Sequence, residues 1–158
     1  MINSASLLKG AILHFQAGYA GDVSAQEAFD RLSQQPNAIL VDVRTQAEWT
    51  FVGLPDLRSL GMEPVLSEWQ SFPPSGPNPE FVKSVSDALV KKGLDLDAPI
   101  YFLCRSGARS AAAATVLTQA GYTQCYNISD GFEGPLDETG HRGTRSGWKA
   151  AGLPWIQS

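Results

Sequence analysis

The segment from Pro99 to Gly121 constrains the fold most, because a strand-like run, a polar loop and a helix-like run follow one another in it without a break. Residues 100–103, Ile-Tyr-Phe-Leu, form an unbroken apolar run of β-forming residues, which is typical of a strand buried on both faces. Four consecutive alanines begin the last part, and Gly121 stands where a helix cap favours positive φ. The segment therefore predicts a buried strand that turns directly into a helix.

The loop between these two elements contains one thiol, Cys104, followed by small and basic residues. Backbone N–H groups of such a turn point inward, and the helix dipole adds partial positive charge at the same place. Together with the two arginines of the loop, this environment favours the thiolate form of Cys104. The candidate anion-binding residues are Arg105, Ser106, Gly107, Ala108, Arg109 and Ser110. We expect a nucleophilic sulfur in an anion cradle; the alternative is a structural core cysteine, which has no need of two arginines and a glycine turn.

A second strand-to-helix unit lies earlier in the chain. A capping box and an apolar stripe predict a helix at Ala25–Gln34, and the apolar run at Ala38–Val43 predicts a buried strand. This strand contains Asp42 near its end, and polar groups at the carboxyl ends of parallel strands share one crevice. Thr45 and Glu48 form another capping box, which predicts a short helix after the strand. Strands that alternate with helices in this way predict an α/β fold.

The rest of the chain predicts further elements and two less regular segments. The elements are a strand near Asp22, a strand at Leu57–Leu60, a helix opened by Asn78 and Pro79 and ended before Gly93, a strand at Cys125–Ile128, and a short helix at Thr144–Ala151. Met1–Gly21 is a lead-in whose pattern does not decide between helix and strand. Met62–Pro79 is a proline-rich insertion whose Trp69 and Phe72 are expected to pack on the domain. The alternative for these aromatics is the mouth of a pocket or a partner surface.

A glycine-rich loop at Gly131–Gly147 carries His141, Arg142 and Arg145. It leaves the predicted sheet on the same side as the Cys104 loop. Its cations are therefore candidates to meet an anionic ligand, and a fully solvated loop is the alternative.

Composition limits the partners of the chain. The formal net charge of the 158 residues is −4, which argues against nucleic acid as a general partner, since phosphate binding requires a basic face. No apolar run approaches the roughly 18 residues of a membrane span, and the short run at 7–13 is a poor secretory signal. We therefore expect no nucleic-acid or membrane partner and a cytoplasmic location.

The two cysteines fit a reducing compartment better than a disulfide framework. Cys125 is expected to be a small hydrophobe in a strand, with a resolving thiol as the alternative. The two histidines and two cysteines are scattered without ligand spacing, so we expect no metal and no other cofactor.

Several motifs, taken in order, resemble the rhodanese (thiosulfate sulfurtransferase-like) superfamily. The segments that carry the resemblance are Asp42-Val-Arg44, the pair Glu48-Trp49, the loop Cys104-Arg-Ser-Gly-Ala-Arg-Ser110, residues 127–134 and residues 147–155. Phe51–Leu57 departs from the family pattern, since the usual His-Ile-x-Gly-Ala segment is missing. The resemblance implies one rhodanese-like domain at 22–158, with a lead-in at 1–21 and an insertion at 62–79. It also implies a three-layer fold, with a central, mostly parallel sheet of four to five strands and helices on both faces.

The resemblance further implies a mechanism. The Cys104 thiolate would take the outer sulfur of a sulfane donor such as thiosulfate and hold it as a persulfide within the loop amides. The sulfur would then pass to cyanide, a small thiol or a protein thiol. Arg105 and Arg109 would offset the negative charge of the donor.

Asp42 and Arg44, which lie outside the loop, are expected to support it. The resemblance implies that their strand lies near the strand of Cys104, so Asp42 would pair with Arg105 or Arg109. Arg44 would reach back to Glu48.

Two other functional classes remain open at this point. Cysteine-dependent phosphatases and arsenate reductases also use a cysteine in an amide cradle, but the phosphatase loops place an arginine six residues after the cysteine, where this chain has Ser110. A persulfide relay or protein-binding module without turnover is the other alternative, because a small domain with an exposed loop can dock a protein acceptor.

Overall fold

Five short strands, each parallel to its neighbours, form the central sheet of the computed structural model, which describes residues 18–71 and 76–158. In chain order the strands are β1 (Gly21–Val23), β2 (Ile39–Asp42), β3 (Leu54–Pro55), β4 (Val65–Leu66), β5 (Ile100–Leu103), β6 (Cys125–Ile128) and β7 (Trp155–Ile156). The order in the central sheet is β1-β6-β5-β2-β4, whereas β3 and β7 form a separate antiparallel pair. β5 and β2, which lead into the candidate loop and the Asp42 motif, are therefore direct neighbours.

Helices connect these strands. They are α1 (Ala25–Gln34), α2 (Gln46–Phe51), α3 (Phe81–Lys91), α4 (Ala108–Gln119) and a 3-10 helix at Arg58–Leu60. The Ser24 hydroxyl accepts the Glu27 N–H at the start of α1, and Thr45 and Glu48 form a reciprocal capping box at the start of α2. The predicted starts of both helices are confirmed. None of the helices in the described residues is long and apolar enough to cross a membrane.

Side chains of β2 and β5 alternate between two buried clusters. One cluster contains Val41 and Phe102 together with side chains of α3 and α4. The other contains Leu40 and Tyr101 together with side chains of α1. Because successive side chains of a strand point to opposite faces, the sheet has helices on both sides. The predicted three-layer α/β architecture is confirmed.

The predicted strand at Leu57–Leu60 is wrong, because most of this segment forms a 3-10 turn. The Asp56 carboxylate accepts the backbone N–H of Arg58 at 3.1 Å and binds its guanidinium as well. That N–H is therefore not available to a sheet. Gly61, with a φ of 71°, then closes the turn by donating its N–H to the Arg58 carbonyl. The fifth strand of the sheet is instead β4, inside the 62–79 insertion.

The predicted helix at Thr144–Ala151 is also wrong, since the segment consists of bends and turns. Two of its backbone N–H groups bind another segment of the chain. The Trp148 N–H donates to the Gly131 carbonyl, at 2.8 Å. The Lys149 N–H donates to the Phe132 carbonyl, at 3.1 Å. These two N–H groups are therefore not available for the i to i−4 bonds of a helix.

The helix predicted to open at Asn78 and Pro79 begins only at Phe81. Asn78 stabilises the preceding turn instead, because its Oδ1 accepts the Glu80 N–H at 3.0 Å. The carbonyl of Asn78 accepts the N–H of Phe81, at 3.1 Å. The end of the helix agrees with the prediction, since Gly93 follows it with a φ of 72°.

Trp69 of the insertion packs edge-to-face on Phe81, with ring centroids 5.2 Å apart. This contact confirms that Trp69 packs on the domain. The predicted strand near Asp22 is confirmed as β1. Phe72 and residues 1–17 of the lead-in lie outside the described residues.

Candidate active site

Cys104 follows the last residue of β5 and is 1% exposed. The Gly107 N–H donates to its Sγ at 3.1 Å, and Ser110 Oγ lies 3.1 Å from the same atom. The loop therefore folds back around the sulfur within six residues. The predicted turn from a buried strand directly into a helix is confirmed.

The tight turn depends on Gly107, which has a φ of 108°. This value lies in the region that residues with a Cβ avoid. A Cβ at Gly107 would also overlap the carbonyl oxygen of Ser129, in the segment that follows β6. Only glycine fits between the sulfur and that segment.

The carbonyl groups at the start of the loop are bound by the segment after β6. The Phe132 N–H donates to the Cys104 carbonyl at 2.8 Å. The Arg105 carbonyl accepts from the N–H groups of Glu133 and Gly134, at 3.0 and 3.1 Å. Gly131 lets this segment approach, because its φ is 71° and a Cβ there would overlap the Arg105 carbonyl oxygen.

Within the described residues, most backbone N–H groups of the loop have no hydrogen-bond partner. The unpaired groups are those of Arg105, Ser106, Ala108, Arg109 and Ser110. The last three belong to the first turn of α4, where N–H groups lack partners within a helix and the dipole is positive. Next to Cys104, these donors form a cradle suited to an anion.

The ion pair predicted between Asp42 and a loop arginine is wrong, because Asp42 pairs with Arg44. The guanidinium donates two hydrogen bonds to the carboxylate, at 2.9 and 2.6 Å, and both side chains are fully buried. Arg44 also donates to the Gly53 carbonyl and stacks over the ring of Phe132, 4.2 Å from its centroid. Arg44 is thus linked to the loop through Phe132, whose N–H binds the Cys104 carbonyl, and the charge of Asp42 also acts on Arg109.

Glu48 binds Arg109 and not Arg44, which corrects the second predicted pair. The two terminal guanidinium nitrogens of Arg109 donate to the Glu48 carboxylate, at 2.6 and 2.9 Å. Burial alone would raise the pKa of Glu48, but the hydrogen bonds and charge of Arg109 and two bonds from Thr45 hold it below its ordinary value. The same pair raises the pKa of Arg109. The pair joins α2 to the first turn of α4.

A cleft of about 640 Å³ opens beside the loop. Its charged lining residues are Arg105, Arg109, Arg142, Glu48 and Glu133. Of the three candidate cations in the 131–147 loop, the structure brings only Arg142 to this cleft. His141 is held in an exposed turn by Asp137, and Arg145 is exposed outside the cleft.

Cys125 is fully buried in β6, and burial raises the pKa of its thiol to about 11. It packs in the same cluster as Val41 and Phe102, as expected of a small hydrophobe. Within residues 18–71 and 76–158, no group of three or more His, Cys, Asp and Glu side chains is arranged to hold a metal ion.

Sequence reasoning missed the role of the segment at 129–134 and of Asn127, which accepts a hydrogen bond from Ser110. The glycines at 131 and 134 were a usable signal, because glycine readily adopts positive φ and lets two backbone segments approach closely. In the structure each has positive φ and lies against the backbone of another segment. The partner of Asn127 had no local signal, since Ser110 is 17 residues away.

Comparison with known proteins decides the family. The family model described as the STR4 middle domain matches residues 20–158, which is most of the chain. The chain belongs to the STR4 middle-domain family. This is a rhodanese-like family, so the superfamily resemblance of the motifs is supported.

Relatives of this STR4 middle-domain protein include a solved structure, that of Rv0390 from M. tuberculosis. It is 50% identical, with a TM-score of 0.79, over 89% of this chain and 99% of that one. An uncharacterized protein of Rickettsia conorii is 42% identical over 85% of this chain and 95% of its own length. A sulfurtransferase of Allochromatium vinosum is 29% identical over 70% of this chain and 83% of its own length. Of these relatives, the sulfurtransferase supports a sulfur-transfer-related role at the level of the family.

Proposed function

We propose that this protein is a rhodanese-type sulfurtransferase that carries sulfane sulfur on Cys104. The observation that carries the proposal is the position of Cys104 Sγ, 3.1 Å from the Gly107 N–H, in a loop whose other backbone N–H groups are unpaired within the described residues. A persulfide anion formed on this sulfur would find donors already in place. Stabilising donors that need no rearrangement are the main way in which such loops favour a charged intermediate.

The first half-reaction transfers one sulfur atom. The Cys104 thiolate attacks the outer sulfur of thiosulfate, the S–S bond of the donor breaks, and sulfite leaves with the electron pair. The product is a persulfide with one negative charge on its outer sulfur.

The second half-reaction regenerates the thiolate. Cyanide, a small thiolate or a protein thiolate attacks the outer sulfur, and the S–S bond to Cys104 breaks. With cyanide the product is thiocyanate, and charge and sulfur balance.

Arg105 and Arg142 are the cations that we assign to the donor anion. Both line the cleft beside the loop, whereas the charge of Arg109 is offset by two hydrogen bonds to Glu48. Guanidinium groups suit the oxygens of a thiosulfate dianion because they donate in a planar fork.

Phosphatase or arsenate-reductase chemistry receives less support from the geometry. The loop arginine at position 109 is committed to Glu48, and position 110 is a serine in contact with Cys104 Sγ. A persulfide relay to a protein thiol uses the same first half-reaction and differs only in the acceptor.

The test is thiocyanate formation from thiosulfate and cyanide by the native protein, by Cys104→Ala and by Cys125→Ala. We expect turnover by the native protein and by Cys125→Ala, and none by Cys104→Ala. Turnover by Cys104→Ala would overturn the assignment of the nucleophile. Absence of turnover by the native protein, with no sulfur loaded from thiosulfate or polysulfide, would favour a binding module.

A further inference from the structure

A chain of hydrogen bonds runs from the candidate nucleophile to an exposed carboxylate on β1. Cys104 Sγ lies 3.1 Å from Ser110 Oγ, which lies 2.6 Å from Asn127 Oδ1. Asn127 Nδ2 lies 3.0 Å from Asp22 Oδ1. Cys104, Ser110 and Asn127 are 1%, 0% and 4% exposed, so water competes little for these contacts.

The direction of the chain is fixed from its outer end. A carboxylate oxygen of Asp22 only accepts, so the group of Asn127 that faces it is the NH₂. Tyr19 also donates its hydroxyl to the same oxygen, at 2.7 Å, so this oxygen accepts from both groups. The other end of the Asn127 amide, Oδ1, therefore faces Ser110 and can only accept. Ser110 must give Asn127 its one hydroxyl proton.

Ser110 then has no proton left for the sulfur and turns a lone pair towards it. Only an S–H group makes a hydrogen bond to that lone pair, so this contact with Ser110 favours the thiol over the thiolate. For Ser110 to stabilise the thiolate that remains once the thiol proton has left, its hydroxyl must turn from Asn127 to Sγ. That turn leaves the Asn127 oxygen buried without a donor, which costs free energy.

We propose that Asn127, oriented by Asp22, is a positioning residue that resists ionisation of Cys104 by withholding the Ser110 proton from the sulfur. The inference rests on the proposed function in taking Cys104 as the nucleophile. It adds that the ionisation of Cys104 depends partly on Asn127 in β6 and Asp22 in β1, which supply none of the N–H groups of the cradle. The Gly107 N–H acts in the opposite sense, since it donates to Sγ and favours the thiolate.

The charge of Arg109 is coupled to Cys104, and charged groups near the loop come from several elements. They are Arg105 in the loop, Arg109 on α4, Glu48 on α2, the buried pair Asp42 and Arg44 at the end of β2, and Asp22 on β1. A substitution of Asn127 changes none of these charges. Its effect on ionisation therefore reports on the hydrogen-bond chain.

The experiment measures the rate of alkylation of Cys104 by iodoacetamide as a function of pH, in folded protein, with the modified residue located by peptide mass. The variants are Asn127→Leu, Ser110→Ala and the double variant. We expect Asn127→Leu to lower the pH of half-maximal rate by about one unit, because it frees the Ser110 hydroxyl to donate to the thiolate. In the Ser110→Ala background, Asn127→Leu is expected to cause no measurable shift in the pH of half-maximal rate.

The comparison between backgrounds decides the outcome, as in any double-mutant cycle. No shift with Asn127→Leu, an upward shift, or an equal shift in both backgrounds would overturn the proposal. Asp22→Ala, at an exposed position, supplies a second test if Asn127→Leu does not fold. It releases the amide of Asn127 to turn over, and we expect a smaller downward shift that again needs Ser110. Alkylation requires no sulfur transfer, so these results are independent of failure of the sulfurtransferase assay.

Discussion

At the scale of single residues, the loop depends on a few atoms that no other residue type supplies. Gly107 provides both a positive φ and room for the Ser129 carbonyl. Cys104 and Ser110 lie on either side of the turn, 3.1 Å apart. Both residues were predicted to belong to the candidate loop, because a strand, a thiol and a glycine turn before a helix leave the backbone little freedom.

Gly107→Ala is expected to lower the free energy of unfolding by more than about 2 kcal/mol and to abolish thiocyanate formation. The reason is that the added Cβ both strains the backbone and overlaps the Ser129 carbonyl. Urea unfolding measures the loss of stability, and thiocyanate formation from thiosulfate and cyanide measures the loss of activity.

Gly143→Ala is the matched control for this variant. It has a φ of 84°, but no atom lies within 4 Å of the added Cβ. We expect a loss of about 1 kcal/mol and normal activity. Equal effects at the two glycines would show that the contact with Ser129 does not matter.

Arg142→Gln is expected to raise the KM for thiosulfate about tenfold, since one cation of the cleft is lost. Arg145→Gln removes a charge from the same loop outside the cleft, and its KM should equal that of the native protein. Steady-state kinetics with varied thiosulfate measure both. An unchanged KM in Arg142→Gln would remove this residue from the donor site.

At the scale of helices and strands, the starts of α1 and α2 could be predicted because capping is local. Ser24 and Thr45 accept N–H groups only three residues away. The ion pairs could not be predicted from the sequence. Two carboxylates, those of Asp42 and Glu48, lie within range of the loop, and the sequence does not say which of them faces Arg109. Asp42 is satisfied locally, by a guanidinium and an N–H two residues later, which leaves Arg109 to Glu48.

Glu48→Gln is expected to lower the free energy of unfolding by about 2 kcal/mol at neutral pH, because it breaks the partly buried bond between α2 and α4. The pKa of Glu48 in the folded protein is below its ordinary value of 4.5. Its stabilising contribution is therefore present above pH 4.5 and is lost as the pH falls through the lower, folded value.

Denaturant unfolding at several pH values tests this expectation. The difference between native protein and Glu48→Gln should shrink as the solution becomes acidic. Lys83→Gln, which breaks the exposed pair with Asp87, is the control and should show no measurable change. A difference between native and Glu48→Gln that does not vary with pH would contradict the assigned pair.

At the scale of the whole molecule, the parallel order of the sheet brings the site together. β2 and β5 are parallel neighbours, so Asp42, the last residue of β2, and Cys104, the residue after β5, lie at the same edge of the sheet. Residues 132–134 then bind the carbonyl groups of the loop, and residues 148 and 149 in turn bind Gly131 and Phe132. The wrong prediction of a helix at Thr144–Ala151 has its cause here, because that backbone bonds to Gly131 and Phe132, contacts that no local pattern reveals.

The central claim, that Cys104 carries sulfane sulfur, is tested most directly by the intact mass of the reduced protein after incubation with thiosulfate. We expect a gain of one sulfur atom, absent from Cys104→Ala, present in Cys125→Ala, and removed by cyanide with release of an equal amount of thiocyanate. No gain with thiosulfate or polysulfide, or the same gain in Cys104→Ala, would contradict the account.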